Sequence, residues 1–441
     1  MIRREQFGGI IYDDETGKVY TTDKYSFRAL EMLTQEGLGR DDISKKLQEE
    51  FSHWKPDLNA MNEFFTMVTS MFTDEVLSVQ RGSLLNNGSS TVPWGDDKET
   101  THFIAPAIIF WIYTNKCNLQ CIHCVQDSGE ILKNELSVSE CKKVIDEFHE
   151  MGVFELSFSG GEPMSRLDDL LQIGRYARDL GFKLSIATNG ILASERNAKN
   201  LAEAGFKYAQ VSIEGLRSTH DYIRGKGAYD KTLAGIRNLV KENFFVMLAT
   251  TVSNFNKTEL EDVVELAKRL GVKGVRFVRF MPMGRGLKNI ELFSISKEDE
   301  LRIAEKLWRV KWRNQDQLMI TFNKHYASYG MKVAPNASGL DGFNWKWDCP
   351  AGRMRASIMP NGDITACPLI GSLGLHGGNI RTHNFKELWE RGSFFGEFRK
   401  EKEDCVGCPE WNICKGGCKA WSYVKHSRLG ARDPLCFREI F

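Results

Sequence analysis

At 441 residues and 50.2 kDa the chain exceeds one ordinary domain, so two or three units with ample core are expected. Its 42% apolar and 27% charged residues exclude a disordered polymer, and 59 basic against 58 acidic side chains argue against nucleic acid as main partner. The longest strongly apolar stretch, residues 103–113, falls far short of the roughly 18–20 residues a spanning helix needs. Residues 1–7 carry no apolar h-region, so no signal and no membrane span are read, and a cytoplasmic protein is expected.

Residues 1–80 read as a small separate unit. Strands at 9–12 and 18–21, joined by Asp13-Asp14-Glu15-Thr16-Gly17, form a hairpin with a Gly-containing turn. Three helices follow: one with the stripe Phe27, Leu30 and Leu33, one opened by Asp41-Asp42-Ile43-Ser44, and one at 58–77. That is the outline of a winged-helix-like domain. Residues 81–102, rich in Ser, Asn, Gly and Asp, read as a linker.

From residue 103 strands and helices alternate. Apolar runs lie at 104–113, 153–158, 183–187, 208–213, 245–252 and 274–280, with amphipathic stretches at 140–151, 167–180, 231–241 and 257–270. Six βα repeats predict an α/β fold: a parallel sheet with right-handed crossovers over 103–320, functional loops at the strands' carboxyl ends. Periodicity fades after about residue 319, leaving a bridging segment, 321–344. Residues 345–441, rich in Gly, Trp and Cys with little helical patterning beyond 385–391, require metal cross-links for stability.

Eleven cysteines in a chain without a signal point to metal rather than disulfides. Cys141 stands alone on a predicted helix and reads as a buried hydrophobe. Cys117-Asn118-Leu119-Gln120-Cys121-Ile122-His123-Cys124 follows the first strand of the repeat. Three soft thiolates there suit a cubane iron–sulfur cluster with one open iron, or zinc with His123 as fourth ligand.

This C-x3-C-x2-C loop resembles the signature of the radical S-adenosylmethionine (SAM) superfamily, whose fold is a partial (β/α)6 TIM-like barrel. His123 stands where that family usually has an aromatic residue. Ser159-Gly160-Gly161-Glu162-Pro163 resembles the glycine-rich motif holding the SAM methionine. Asn189 in Ala187-Thr188-Asn189-Gly190, Ser212 and Glu214 in Val211-Ser212-Ile213-Glu214-Gly215, and Arg224 match positions contacting SAM. Pro282-Met283-Gly284-Arg285-Gly286 follows the sixth strand, near where relatives touch adenine. The resemblance implies a [4Fe–4S] cluster on Cys117, Cys121 and Cys124. It further implies SAM bound by His123, Gly160, Gly161, Glu162, Asn189, Ser212, Glu214 and Arg224, Glu162 and Arg224 offering charge-assisted contacts. A 5′-deoxyadenosyl radical would then form, with electrons from a donor such as ferredoxin or flavodoxin.

The remaining cysteines, in C-x12-G-x4-C and C-x2-C-x5-C-x3-C-x17-C, resemble the SPASM domain, which carries two auxiliary [4Fe–4S] clusters; a zinc ribbon is the alternative. By that resemblance Cys349, Cys367 and Cys418 hold auxiliary cluster I, one ligand short, and Cys405, Cys408, Cys414 and Cys436 hold cluster II. Aspartate, water or a substrate thiolate would fill the open place. The N-terminal unit resembles the PqqD-like element that recognises a leader peptide by strand addition; a structural or dimerising domain is the alternative. The reading is a peptide maturase that installs a thioether or C–C crosslink, or another oxidative modification, on a ribosomally made peptide. The alternatives are a maturase of a partner oxidoreductase or sulfatase, and an iron–sulfur electron-transfer or scaffold protein that never cleaves SAM. His325, Tyr326 and Asp348 are acid–base candidates by position alone.

Overall fold

The computed structural model describes residues 1–6, 8–12, 19–36, 38–51, 101–322, 326, 328, 349–436 and 438. The expected turn at 13–17, the helix at 58–77, the linker up to residue 100, His325, Asp348 and nearly all of the bridging segment lie outside the described residues. Two compact units result: Met1–Ala107 with Glu147–Phe154, and Ile108–Asp146 with Glu155–Phe441.

In the first unit β1 (Ile2–Glu5), β2 (Gly8–Tyr12) and β3 (Val19–Asp23) form an antiparallel sheet in that order, one strand more than the expected hairpin. Asp23 caps the helix Lys24–Glu31, its Oδ1 accepting from the N–H groups of Tyr25 and Ser26 at 2.8 Å each. Phe27 and Leu30 are buried as the stripe required, and the helix Arg40–Glu50 follows.

The buried Arg3 organises this unit. Its guanidinium donates to the carbonyls of Ala105, Pro106 and Gly152 and pairs with Glu5 at 2.7 Å, while Glu5 accepts from the Ile104 N–H. Those backbone groups are therefore unavailable to a strand ladder, and Pro106 has no N–H to offer. Hence the strands expected to begin at 104 and 153 begin at 108 and 155.

The second unit is built on a ten-stranded sheet. The six expected strands are β4 (Ile108–Thr114), β5 (Glu155–Gly160), β6 (Lys183–Thr188), β7 (Phe206–Ser212), β8 (Phe245–Val252) and β9 (Gly274–Arg279), all parallel and adjacent in chain order. Both of their faces are covered, so β4 and β8 read as nearly continuous apolar runs. Trp111 stacks on Phe158 with ring centroids 5.6 Å apart, joining β4 to β5 in the core. Helices Val138–Glu150, Leu167–Asp179, Glu195–Glu203, Ala228–Lys241 and Leu260–Leu270 supply the crossovers.

The sheet extends past both expected edges. β10 (Met319–Phe322) lies parallel to β9, and β11 (Arg355–Ile358) lies parallel to β4, followed by the antiparallel β12 (Asp363–Thr365) and β13 (Gly378–Asn379). Strands of two to four residues are too short to leave a periodic signal. The C-terminal segment is also more helical than expected, with Phe385–Arg391, Ser393–Arg399 and Lys419–His426. Its core combines aromatic and aliphatic side chains: Phe385, Trp389, Phe395 and Phe398 are fully buried, as are Ile358, Ile364 and Ile370.

Replacing Arg3 with Met should destabilise the first unit by about 3–5 kcal/mol, because Glu5 is left buried without its cation. Chemical denaturation checks this, and the double change Arg3→Met with Glu5→Leu should recover most of the loss.

Candidate active site and cysteine clusters

The loop carrying Cys117, Cys121 and Cys124 leaves β4 at the carboxyl edge of the sheet and is held from three sides. On the first, Thr114 Oγ1 and the Asn115 N–H donate to Glu135 at 2.8 and 2.7 Å, and the Cys117 N–H donates to the Gly129 carbonyl at 2.8 Å. On the second, the N–H groups of Gly161 and Glu162 donate to the carbonyls of Thr114 and Lys116, both at 2.8 Å. A Cβ at Gly160 would stand 2.4 Å from the Thr114 oxygen, and one at Gly161 would stand 2.3 Å from the Lys116 oxygen. The glycine pair thus lets two loops lie backbone to backbone.

The third support comes from beyond β9. Arg285 donates through Nε to the Cys121 carbonyl and through Nη1 to Asp127 and the Ser128 carbonyl, all at 2.8 Å, and Asn289 Nδ2 reaches the Ile122 carbonyl at 2.9 Å. The segment expected near adenine therefore also clamps the cysteine loop. Asn118 is a further brace, accepting from Asn189 Nδ2 at 2.7 Å.

All three thiols are free, Cys121 buried and the other two half-buried. Burial pushes Cys117 up to about 11 and raises Cys121 as well; Arg224 opposes the rise at Cys121, its Nη1 lying 3.8 Å from Sγ. Metal ligation would favour the thiolates. Among the described residues no three His, Cys, Asp or Glu side chains converge as a single ion requires. His123 Nε2 lies 3.2 Å from Glu214 and its ring stacks on Phe293, while Nδ1 is buried without a hydrogen-bond partner among the described residues. The donor set fits a cluster, which spreads its thiolates over separate irons, better than mononuclear zinc.

Glu214 is the electrostatic centre. Burial alone would raise its carboxyl, but Arg224 and His123 together hold it well below the usual carboxylate range. Arg224 donates to Oε1 through Nε at 3.0 Å and Nη2 at 2.5 Å, and the Thr251 N–H donates to Oε2 at 3.0 Å. Behind it, His220 Nδ1 accepts from the Glu214 N–H at 3.2 Å; burial, with Arg224 next, pushes this imidazole down to about 4, so it stays neutral. Ser212 is half-buried at the end of β7.

Glu162 is fully buried. Its carboxylate does not reach outward: it accepts from Thr188 Oγ1, from the Asn189 N–H at 2.8 Å and from the Met164 N–H at 3.2 Å, all in the joint between β5 and β6. Burial outweighs these hydrogen bonds and a weaker pull from Arg224, pushing it up to about 7. Tyr326 is likewise a core residue, its carbonyl accepting from Trp308 Nε1 at 3.1 Å. Cys141 is buried in its helix, where burial pushes the thiol up to about 12.

The other cysteines fall into two neighbourhoods. Burial raises the Cys367 thiol, and Cys349 and Cys418 are the charges that act on it next. Burial also raises Cys405, whose cysteine neighbours are Cys436 and Cys408. Cys414 closes the helical turn Trp411–Cys414. Cys418, between Cys414 and Cys436 in sequence, therefore groups with the distant Cys349 and Cys367.

Because the carboxyl of Glu162 is raised, folding is favoured fully below about pH 4.5 and that contribution is lost as pH rises through about 7. Thermal unfolding of Glu162→Gln against the unmodified protein should show the difference: the variant gains relative stability from pH 5 to pH 8.

The radical SAM superfamily profile matches residues 111–270, and that of the SPASM iron–sulfur cluster-binding domain matches residues 349–409. An AdoMet-dependent heme synthase of Methanosarcina barkeri is 33% identical over 346 residues, covering 75% of this chain and 96% of that protein. The mycofactocin maturase MftC of Mycolicibacterium smegmatis is 31% identical over 337 residues, covering 75% and 83%. The crystal structure of Streptococcus suis SuiB bound to precursor peptide SuiA aligns over 99% of this chain and 98% of that one, with a TM-score of 0.72 at 17% identity. With these matches and the cysteine loop in place, the chain belongs to the radical SAM superfamily: its barrel binds a [4Fe–4S] cluster and SAM, and its SPASM domain binds additional iron–sulfur clusters.

Proposed function

We propose that this enzyme installs a thioether or C–C crosslink, or a related oxidative modification, on a ribosomally made peptide. One observation carries the reading. The fold shared with SuiB, solved with its precursor peptide, extends over 99% of the chain, whereas the heme synthase and MftC match 75% of it. The quarter beyond those matches is then the part suited to peptide recognition. We assign that role to residues 1–80, followed by a linker at 81–102, the barrel at 103–320, a bridging segment at 321–344 and the SPASM domain at 345–441. Among the described residues β3 has no strand on its outer side, leaving an edge to which a leader peptide adds.

In this reading Cys117, Cys121 and Cys124 hold the catalytic cluster. SAM lies against His123, Gly160, Gly161, Glu162, Asn189, Ser212, Glu214 and Arg224, with Glu162 also setting the β5–β6 joint. When bound, cluster and SAM supply a 5′-deoxyadenosyl radical that removes a hydrogen atom from the substrate. The protein's part is to fix the loop, keep Glu214 ionised and exclude water. Cys349, Cys367 and Cys418 hold auxiliary cluster I with a place open to a substrate thiolate; Cys405, Cys408, Cys414 and Cys436 hold cluster II. A ferredoxin or flavodoxin supplies electrons in the cytoplasm. Among the described residues no helix is long and apolar enough to cross a membrane.

The names of the heme synthase and of a Fe-coproporphyrin III synthase from the same archaeon, 28% identical over 353 residues, favour a second reading, chemistry on an iron porphyrin. The deciding assay gives the reconstituted enzyme SAM and dithionite with either a Cys-containing precursor peptide or Fe-coproporphyrin III. Peptide lighter by two hydrogens per crosslink supports the first reading, and porphyrin turnover without peptide modification overturns it.

Replacing Cys117, Cys121 and Cys124 together with Ala should abolish 5′-deoxyadenosine while leaving about eight of twelve irons and the auxiliary absorbance. Excess leader peptide without its core should inhibit precursor processing yet leave substrate-free SAM cleavage unchanged.

A further inference from the structure

The C-terminal segment holds a cation that the chemistry above does not use. Lys402 is wholly buried although Lys400, Glu401, Glu403 and Asp404 around it are exposed. Its Nζ donates to Ser422 Oγ at 2.6 Å and to the Cys418 carbonyl at 3.3 Å, and Ser422 Oγ donates to that same carbonyl at 2.9 Å. The Lys402 carbonyl accepts from the Cys405 N–H at 2.9 Å. Its aliphatic stem passes Gly416, where a Cβ would stand 3.2 Å from Cδ. Lys402 therefore ties two segments that carry ligands assigned to different auxiliary clusters, through its side chain at 416–422 and its carbonyl at Cys405.

A buried ammonium needs a compensating charge. The direct partners of Lys402 are neutral oxygens, and among the described residues no carboxylate pairs with it. Asp433, which accepts from the Cys418 N–H, is paired with Arg279 at 3.1 Å. The anionic groups left are the thiolates a loaded cluster would carry: Lys402 bonds the Cys418 carbonyl through Nζ and the Cys405 N–H through its own carbonyl, so it is tied to one residue of each ligand set.

We propose that Lys402 is a fixed internal counter-cation for the auxiliary clusters, raising their reduction potentials. The proposal rests on assigning the seven C-terminal cysteines to two clusters. Each electron accepted adds negative charge to a thiolate-ligated cluster, and a desolvated cation beside the ligands favours the reduced form. Its placement between the ligand sets suits electron uptake from a substrate radical. Lys402 acts through the cluster ligands and is a positioning residue.

The test is a redox titration followed by electron paramagnetic resonance, in the full chain with Cys117, Cys121 and Cys124 changed to Ala so that only auxiliary signals remain. Lys402→Met should lower the potential of at least one auxiliary cluster by about 59 mV, a tenfold change in a one-electron equilibrium. Lys402→Arg should stay at the parent value. Loss of a cluster from the Met variant but not from the Arg variant also supports a requirement for the charge. An unshifted Met variant with full iron content overturns the proposal, as do equal shifts or equal cluster loss in both variants. A parent protein without auxiliary cluster signals would instead overturn the cluster assignment itself.

Discussion

The site depends on one close approach, between the backbone leaving β4 and the backbone leaving β5. The carbonyls of Thr114 and Lys116 accept from successive N–H groups at Gly161 and Glu162, and a side chain at either glycine would collide with the same carbonyls. The cysteine loop can therefore leave the sheet in one direction only. Glu135, Arg285, Asn289 and Asn118 brace a path already set. Because β4 and β5 are adjacent parallel strands, their carboxyl ends are brought together by the sheet itself, so fold and site share one geometric cause.

Within that frame, two equally buried carboxylates behave oppositely. Glu162 accepts from hydroxyl and amide donors and feels Arg224 only weakly, so burial dominates and its carboxyl rises. Glu214 meets the Arg224 guanidinium and the His123 ring, and together they outweigh the same burial. One is a neutral-leaning joint between strands, and the other is a permanent anion facing the cysteine loop through Arg224. The difference lies in what each side chain meets, a fact of tertiary structure.

That explains which parts were legible in the sequence. The run at 245–252 coincides with β8 because a strand covered on both faces must be largely apolar. The cysteine spacing and the motifs at the strand ends were equally plain, since each is local. The turn of Glu162 toward Thr188, 26 residues on, leaves no local trace. Arg285, which reaches Cys121 across 164 residues, and His220 behind Glu214 were unreadable for the same reason, although Arg285 sits within the Gly-Arg-Gly run already noted. The strands expected at 104 and 153 started late because Arg3 and Glu5, about a hundred residues or more away, occupy the backbone groups that pairing would need.

The placement of cations also bears on how the C-terminal part folds. Arg224 lies beside Cys121, Arg279 acts near Cys418 and Lys402 acts on Cys405, so each group of cysteines has a buried cation. Arg224 and Arg279 have their own carboxylates, Glu214 and Asp433, and each stays charged through that pairing. Among the described residues Lys402 Nζ bonds only neutral oxygens, so its burial becomes more favourable once the cysteines of the segments it joins are ionised. Ligation ionises them. Cluster loading would thereby supply both the covalent cross-links that join segments 349–367 and 405–436 and the negative charge that makes a buried lysine tolerable, coupling assembly of this domain to its metal through two separate physical effects.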